Sequence, residues 1–399
     1  MLAVTMARRM ARTSDLRLLW KFAYNFGFKG MRSVQRFKAR LKEGKTFPPF
    51  LYISITNSCN LRCQGCWVDV DKPQSAIRLE DLDRMIRNAK NHGNSFFGLL
   101  GGEPFLHADL FPLLRAHPDA YFQIFTNGHY ITDAVAARLR RAGNATPLVS
   151  IEGSEAVSDQ RRGRKGVLSR TMAGLQACIR NRLITGVATS VCQSNFDDLV
   201  KESWIDRLIE LGVHYTWFHT YRPVGPKPSP ELALRPAQVL DLRRFVIDMR
   251  NRKPIGIIDA YYDDRGQALC PAATGVSHHI SPFGDVEPCP IIQFASESIR
   301  DNGGDLFKTM TESKLLEDFR KTAAGATRGC IVLDRPDLLR QVVERNGAQD
   351  TTIRKRAAEE LAAMRSRPSQ HQPGHEMPEG NWLYRFAKKH WFFGFGAYT

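Results

Sequence analysis

From about residue 50 the chain alternates short β-rich runs with amphipathic stretches, and this alternation limits its fold more than any other feature. Phe50–Ile55, Phe96–Leu100, Phe122–Phe125, Leu148–Ile151, Gly186–Val191 and Tyr215–His219 read as strands. Between them Leu79–Ala89, Ile131–Ala142, Ser169–Ile179 and Leu199–Leu211 place apolar residues at helical spacing. A βα step recurring roughly every 25–45 residues predicts a parallel α/β sheet with crossover helices. Six such units make either an open doubly wound sheet or a partial barrel, and periodicity does not choose between them.

The pattern changes after Gly225-Pro226-Lys227-Pro228. One helix, Pro236–Arg250, precedes a loop-rich stretch holding Cys270, Cys289 and Cys330. Its apolar residues are sparse, which predicts a small domain that gains from a metal staple. Leu338–Met364 turns helical and charged, Ser366–Gly380 reads as a Pro/His/Gln/Ser linker, and an aromatic-basic tail follows.

The 399 residues are 43% hydrophobic and 25% charged, globular values that exclude disorder throughout. No apolar run reaches the roughly 18–20 residues of a membrane-spanning helix, and no secretory signal opens the chain, so a cytoplasmic protein is expected. The net charge of +16 sits on the ends. Residues 1–47 hold twelve Lys or Arg against Asp15 and Glu43, and 380–399 hold Arg385, Lys388 and Lys389 with no acid. A duplex-binding groove would place its basic residues on the folded body, so nucleic acid is not the expected partner. Basic ends rich in aromatics fit an anionic membrane surface, and equally fit packing on the core or a dimer contact. Leu16, Leu19, Phe22, Ala23 and Phe26 recur at helical spacing, with Ser14 as the expected cap.

The strongest chemical signal is Cys59-Asn60-Leu61-Arg62-Cys63-Gln64-Gly65-Cys66, a C-x3-C-x2-C directly after the first strand. Structural zinc usually takes four ligands, and no fourth Cys or His follows nearby. Three thiolates suit a 4Fe–4S cluster with one iron open to a ligand. Cys178 and Cys192 sit in apolar surroundings and read as packing.

Around these cysteines the sequence resembles the radical S-adenosylmethionine (radical SAM) enzymes over about Phe50–Arg222. Gly101-Gly102-Glu103-Pro104 is similar to the segment that binds the cofactor's amino group in that family. Thr126-Asn127-Gly128 ends the third strand, Ser150-Ile151-Glu152-Gly153 with Asp159-Gln160-Arg161-Arg162 follows the fourth, and Asn195 follows the fifth. The resemblance implies a partial (β/α)6 TIM-like barrel, with a 4Fe–4S cluster on Cys59, Cys63 and Cys66. It further implies S-adenosylmethionine bound by Gly101, Gly102, Glu103, Pro104, Thr126, Asn127, Ser150, Glu152, Arg162 and Asn195. One departure is Gly65, where the family usually has an aromatic residue, with Trp67 following the third cysteine.

Cys270, then Gly284 and Cys289 in a C-x13-G-x4-C spacing, resembles the start of SPASM and twitch extensions. With Cys330 this implies one auxiliary 4Fe–4S cluster; His278 and His279 are either candidates for its fourth ligand, or core polar residues or substrate contacts. The expected division is a basic amphipathic extension over 1–47, a radical SAM core over 48–250, an auxiliary domain over 251–335, and a helical segment, linker and tail over 336–399. The implied function is reductive cleavage of S-adenosylmethionine to a 5′-deoxyadenosyl radical that abstracts hydrogen from a membrane lipid or isoprenoid chain. No catalytic side chain is singled out. Implied partners are a small electron-donor protein of the flavodoxin or ferredoxin type and an anionic surface at the inner face of the membrane. The alternatives are a peptide-modifying maturase and a non-catalytic iron–sulfur protein.

Overall fold

The computed structural model describes residues 2–70 and 73–391. The six expected strands form as β1 (Phe50–Thr56), β2 (Phe96–Gly101), β3 (Tyr121–Thr126), β4 (Ala145–Ser150), β5 (Gly186–Val191) and β6 (Tyr215–Thr220). To these the chain adds β7 (Gly256–Ile258), β8 (Ser277–Ile280) and β9 (Val286–Glu287), in the sheet order β7-β6-β5-β4-β3-β2-β1-β8-β9. Every neighbouring pair is parallel except β8 with β9. The partial TIM-like barrel is therefore extended by one short parallel strand at each edge.

Alternate residues of a strand share a face, and on β1 Leu51, Ile53 and Ile55 are fully buried on one face while Ser54 and Thr56 are buried on the other. Crossover helices cover the outer face. In Leu79–Asn91, Leu82, Met85, Ile86 and Ala89 fall on one stripe and join the core of Leu51, Ile53 and Phe97. Asp133–Ala142 is capped by the Thr132 hydroxyl, which accepts from Val135 N at 3.3 Å, and ends at Gly143 in the left-handed region.

The hairpin of β8 and β9 turns at Gly284, with φ +92°. Beyond it, the helices Lys314–Ala326, Pro336–Arg345 and Ala357–Ala363 share one hydrophobic core with Ala272, Ile292, Phe294 and Cys330. The boundary expected at 335/336 thus does not separate two bodies, because Leu339, Val342 and Leu361 complete the core that Phe319 and Ile331 begin.

The stretch expected to be a linker is tied down. The Ser369 hydroxyl accepts from Cys330 N at 3.1 Å, the Gln370 side-chain carbonyl accepts from Arg222 at 3.1 Å, and Glu379 pairs with Arg250 at 2.6 Å. All three are buried. Three buried polar residues thus anchor a segment whose remaining residues are largely exposed.

The N-terminal helices and the helix Trp382–His390 pack on the N-terminal end of the barrel. Arg9 donates to the carbonyls of Ile209 and Val213, while Thr13 and Ser14 each lie 2.9 Å from His214 Nε2. Ser14 is consumed by that contact, so Asp15 caps the next helix instead, accepting from Arg17 N. Of the expected apolar stripe, Leu19, Phe22 and Phe26 pack inward while Leu16 and Ala23 are exposed, and Phe22–Phe28 is wound as a π-helix. Leu18 and Phe26 are buried, whereas Leu16, Trp20, Tyr24 and Phe28 form an exposed ridge. At the other end, Lys388 of the helix Trp382–His390 meets Asp259 at 3.3 Å beside the Arg243–Asp259 pair. The tail expected to continue beyond Trp391 lies outside the described residues. Among the described residues no helix is long and apolar enough to cross a membrane.

Candidate active site

The loop after β1 carries Cys59, Cys63 and Cys66 to the C-terminal rim of the barrel, where all three line a cavity of about 550 Å³. Asn57 fastens the loop, donating to the carbonyls of Asp69 and Pro73 and accepting from Ser75 N at 2.7 Å. Asn60 accepts from Asn127 Nδ2 at 2.8 Å, joining the loop to the end of β3. Burial pushes the Cys59 thiol up to about 11 and Cys66 to about 12. Neutral thiols of this kind need a cationic centre to become thiolate ligands. Among the described residues no three Cys, His, Asp or Glu side chains are placed to hold a single metal ion. The three thiols border one volume, and soft sulfur donors of this kind are the ligands of iron–sulfur clusters.

Gly101 and Gly102 also line this cavity, but their lack of a side chain serves the cysteine loop first. A Cβ on Gly101 would overlap the Thr56 carbonyl, and one on Gly102 the Ser58 carbonyl. Their segment pairs with the loop through Gly102 N to Thr56 O and Glu103 N to Ser58 O, both 2.8 Å. Glu103 and Pro104 do not line the cavity. Glu103 is fully buried and accepts from Thr126 Oγ1 and Asn127 N at 2.8 Å and from Phe105 N at 3.1 Å. Burial raises its carboxyl to about 7 against those hydrogen bonds. In this geometry Glu103 braces the rim and lines neither this cavity nor the one beside it.

Thr126, Asn127, Ser150 and Arg162 do line the cavity. Arg162 is the last residue of the helix Glu155–Arg162, which stops at the left-handed Gly163. One guanidinium nitrogen meets Glu152 Oε1 at 2.5 Å and the other Cys63 Sγ at 3.5 Å. Burial disfavours its charge, but Glu152 and Cys63 outweigh that and hold it above its ordinary value. Glu152 accepts in addition from Ser190 N and Asn195 Nδ2. Asn195 itself is buried outside the cavity, closing the turn after β5 by accepting from Cys192 N at 2.7 Å. It reaches the site only through Glu152. Asp159 stands one step further back, accepting from Gly166 N and Leu168 N at the start of the next helix.

A second cavity, of about 380 Å³, shares Cys63, Cys66, Ser150 and Arg162 with the first and extends to Cys270, Cys289 and Cys330. The second cysteine set therefore faces the same chamber. Burial raises Cys270 to about 11 and pushes Cys289 up as well. Arg222 lies against Cys330 and donates to Tyr261 Oη at 3.2 Å, supplying positive charge beside the thiols. His279 is not placed to join them: Nδ1 meets Glu287 at 2.5 Å and Nε2 meets Ser54 at 2.8 Å. His278 turns to the Pro288 carbonyl and lines neither cavity. Cys178 and Cys192 are fully buried packing residues.

Several residues of the chamber carried no motif. Tyr221, just past β6, lies where a side chain on residue 65 would be, so Gly65 is what lets its ring approach. His219 and Thr189 line the chamber with Nε2 and Oγ1 unpartnered among the described residues. Their place at the C-terminal ends of β5 and β6 was the one available signal.

A parallel barrel whose C-terminal rim gathers three thiols, an ion-paired arginine and a second set of thiols defines an iron–sulfur enzyme class rather than a generic α/β domain. A family model of the radical SAM superfamily matches residues 53–201. GTP 3′,8-cyclase of Parasynechococcus marenigrum (strain WH8102) is 32% identical over 233 residues, 51% of this chain and 64% of that protein. Among solved structures, Streptococcus suis SuiB bound to precursor peptide SuiA aligns with a TM-score of 0.60 at 18% identity, covering 71% of this chain and 69% of that one. The structure of anSMEcpe with bound AdoMet gives 0.56 at 18% identity, covering 69% and 80%. Over residues 53–201 the chain is thus similar to the radical SAM superfamily. It spans between 35% and 64% of the length of such curated relatives.

Proposed function

We propose that the protein is a radical SAM enzyme that cleaves S-adenosylmethionine reductively on Cys59, Cys63 and Cys66 and abstracts hydrogen from a substrate in the rim chamber. The observation that carries this reading is the continuity of lining from those thiols, past Ser150 and Arg162, to Cys270, Cys289 and Cys330. When bound, the cluster and S-adenosylmethionine supply a 5′-deoxyadenosyl radical. The protein's part is to bind, orient and shield. Arg162, held by Glu152, offers a fork to the methionine carboxylate. Gly101 and Gly102 present backbone, and Thr126, Asn127 and Ser150 present polar atoms, along the same wall. His219, kept neutral because burial lowers it to about 3, offers a ring nitrogen to the substrate.

Cys270, Cys289 and Cys330 are read as ligands of an auxiliary 4Fe–4S cluster, with Arg222 offsetting its charge. The substrate is read as a membrane lipid or isoprenoid chain, met by the protein at the inner face of the membrane. The exposed ridge of Leu16, Trp20, Tyr24 and Phe28 beside Lys29 and Arg32 supports this. A flavodoxin- or ferredoxin-type protein is the proposed electron donor. The second reading, a peptide-modifying maturase, is favoured by the fold shared with SuiB, whose structure holds a precursor peptide.

The test is anaerobic incubation of the iron-loaded protein with dithionite and S-adenosylmethionine. It should release 5′-deoxyadenosine and methionine slowly without substrate, and Cys59→Ala should stop it. Iron-loaded protein that releases no 5′-deoxyadenosine would overturn the reading.

A further inference from the structure

A third cavity, of about 330 Å³, occupies the opposite, N-terminal end of the same barrel. Phe50, Phe96, Tyr121, Tyr215 and Gly256, the first residues of β1, β2, β3, β6 and β7, build its wall. Barrels of this kind are ordinarily filled there by layers of side chains. Here the space is left open and roofed by the chain's two ends, through Phe22, Phe26 and Met31 on one side and Leu383 and Phe386 on the other.

The chemistry of the lining is hydrocarbon. Among the described residues no Asp, Glu, Lys or Arg faces it. Thr146 spends its hydroxyl on the Ile184 carbonyl, Gln123 donates to Tyr215 Oη, and His214 is neutral and bonded to Thr13 and Ser14. Among the described residues, Gln123 Oε1 and Trp217 Nε1 are buried lining atoms without a partner. A peptide in such a space would strand its backbone N–H and C=O groups, at roughly 1–3 kcal/mol for each unpaired group. A hydrocarbon chain strands nothing.

Two further features say where the chain comes from and where it leads. Tyr52, Ala260, Pro271 and Ser277 line both this cavity and the rim chamber, so the two meet at a neck. At the outer end Phe386 lines the cavity while remaining 47% exposed, which marks the mouth. The same terminal elements carry the exposed ridge, with Trp20 stacked on Tyr24 at 6.0 Å and Tyr24 on Phe28 at 5.9 Å. Lys29 and Arg32 lie over two of those rings. Aromatics with basic neighbours are the residues that settle at a bilayer interface.

We propose that this cavity binds one hydrocarbon chain of a bilayer lipid, drawn in through the mouth at Phe386 and directed past Tyr52 towards the rim chamber. The proposal deepens the lipid reading of the active site and rests on it for its purpose, although occupancy of the cavity can be measured without any radical chemistry.

The full-length protein is mixed with phosphatidylglycerol–phosphatidylcholine vesicles containing a trace of phosphatidylglycerol with a diazirine at the end of one acyl chain. After irradiation, labelled peptides are mapped by mass spectrometry. Label should appear on the strands bearing Tyr52, Tyr121 and Trp217. Gly27 lines the cavity and has room for a side chain, the nearest atom to its Cβ being Phe22 O at 3.9 Å. Gly27→Leu should therefore lower the deep label by about tenfold, with Gly27→Ala between it and the parent. Label confined to Trp20, Tyr24 and Phe386 would mean adsorption alone and would sink the proposal. Equal deep labelling by the free diazirine fatty acid without vesicles would remove the bilayer as its source. Wild-type protein that releases 5′-deoxyadenosine but takes no deep label loses this site and keeps the radical reading. Deep label in iron-loaded protein that cleaves no S-adenosylmethionine keeps the site and removes the radical reading.

Discussion

Gly65 has φ +66°, and a Cβ there would overlap the hydroxyl end of Tyr221. Residue 65 and residue 221 therefore share one volume, filled by an aromatic ring delivered from the end of β6. This accounts for the departure of the cysteine loop from the family pattern, and it predicts a coupled pair. Gly65→Ala should lower iron incorporation, since the loop must move to relieve the clash. Tyr221→Ala in the same chain should restore part of it, leaving a residual cost of about 1 kcal/mol for a side chain at positive φ. Iron content of the two single variants and the double variant checks this, and strictly additive losses would mean the clash is not the cause. Glu103 makes a second point at this scale. Its motif was legible, but its direction was not, because sequence spacing does not say which side of a loop a carboxylate faces. Three donors hold it inward. Glu103→Gln places an NH2 group against at least one of them and should destabilise the protein by about 1–3 kcal/mol in anaerobic melts.

The N-terminal helix Leu2–Thr13 is held to the barrel partly through His214, a contact between elements that depends on a neutral ring. His214 accepts from Thr185 N through Nδ1 and presents Nε2 to Thr13 and Ser14. Burial, then the nearby Arg9 charge, lower it to about 4. A histidine depressed in the folded state binds fewer protons there than when unfolded. Its contribution is complete above its ordinary value of 6.5 and is lost as pH falls towards 4, at about 1.4 kcal/mol per unit. Protection factors of the amides in residues 2–13 should fall between pH 7 and pH 5 more than those in β1 or β3. His214→Gln should flatten that difference, and an unchanged pH dependence in the variant would assign it elsewhere. Only part of this element was readable from the sequence. Helical spacing located Leu19, Phe22 and Phe26 on the packed side, but Leu16 and Ala23 are exposed, and a periodic pattern carries no sign of the π-helical winding of Phe22–Phe28 in which Ala23 falls.

Across the whole molecule, the βα alternation and the cysteine loop were legible because each rests on local chemistry: strand burial, crossover length and thiol spacing. What lay outside the sequence depends on distant partners. Residues 366–380 read as a linker because Pro, Ser, Gln and Glu usually seek water, yet Ser369 and Gln370 close against Cys330 and Arg222, and Glu379 against Arg250. The same segment thus ties the second cysteine set to the barrel. That arrangement bears on the last prediction, which concerns how many clusters the chamber serves. Fully loaded wild-type protein should carry about eight irons, as two 4Fe–4S clusters. Changing Cys270, Cys289 and Cys330 together to Ala should leave about four irons and preserve 5′-deoxyadenosine release, since Cys59, Cys63 and Cys66 stand on their own loop. Changing Cys59, Cys63 and Cys66 should also leave about four but abolish release. Iron assay with low-temperature electron paramagnetic resonance separates the two species. Wild-type protein that saturates near four irons would leave the second thiol set as a wall of the chamber and nothing more.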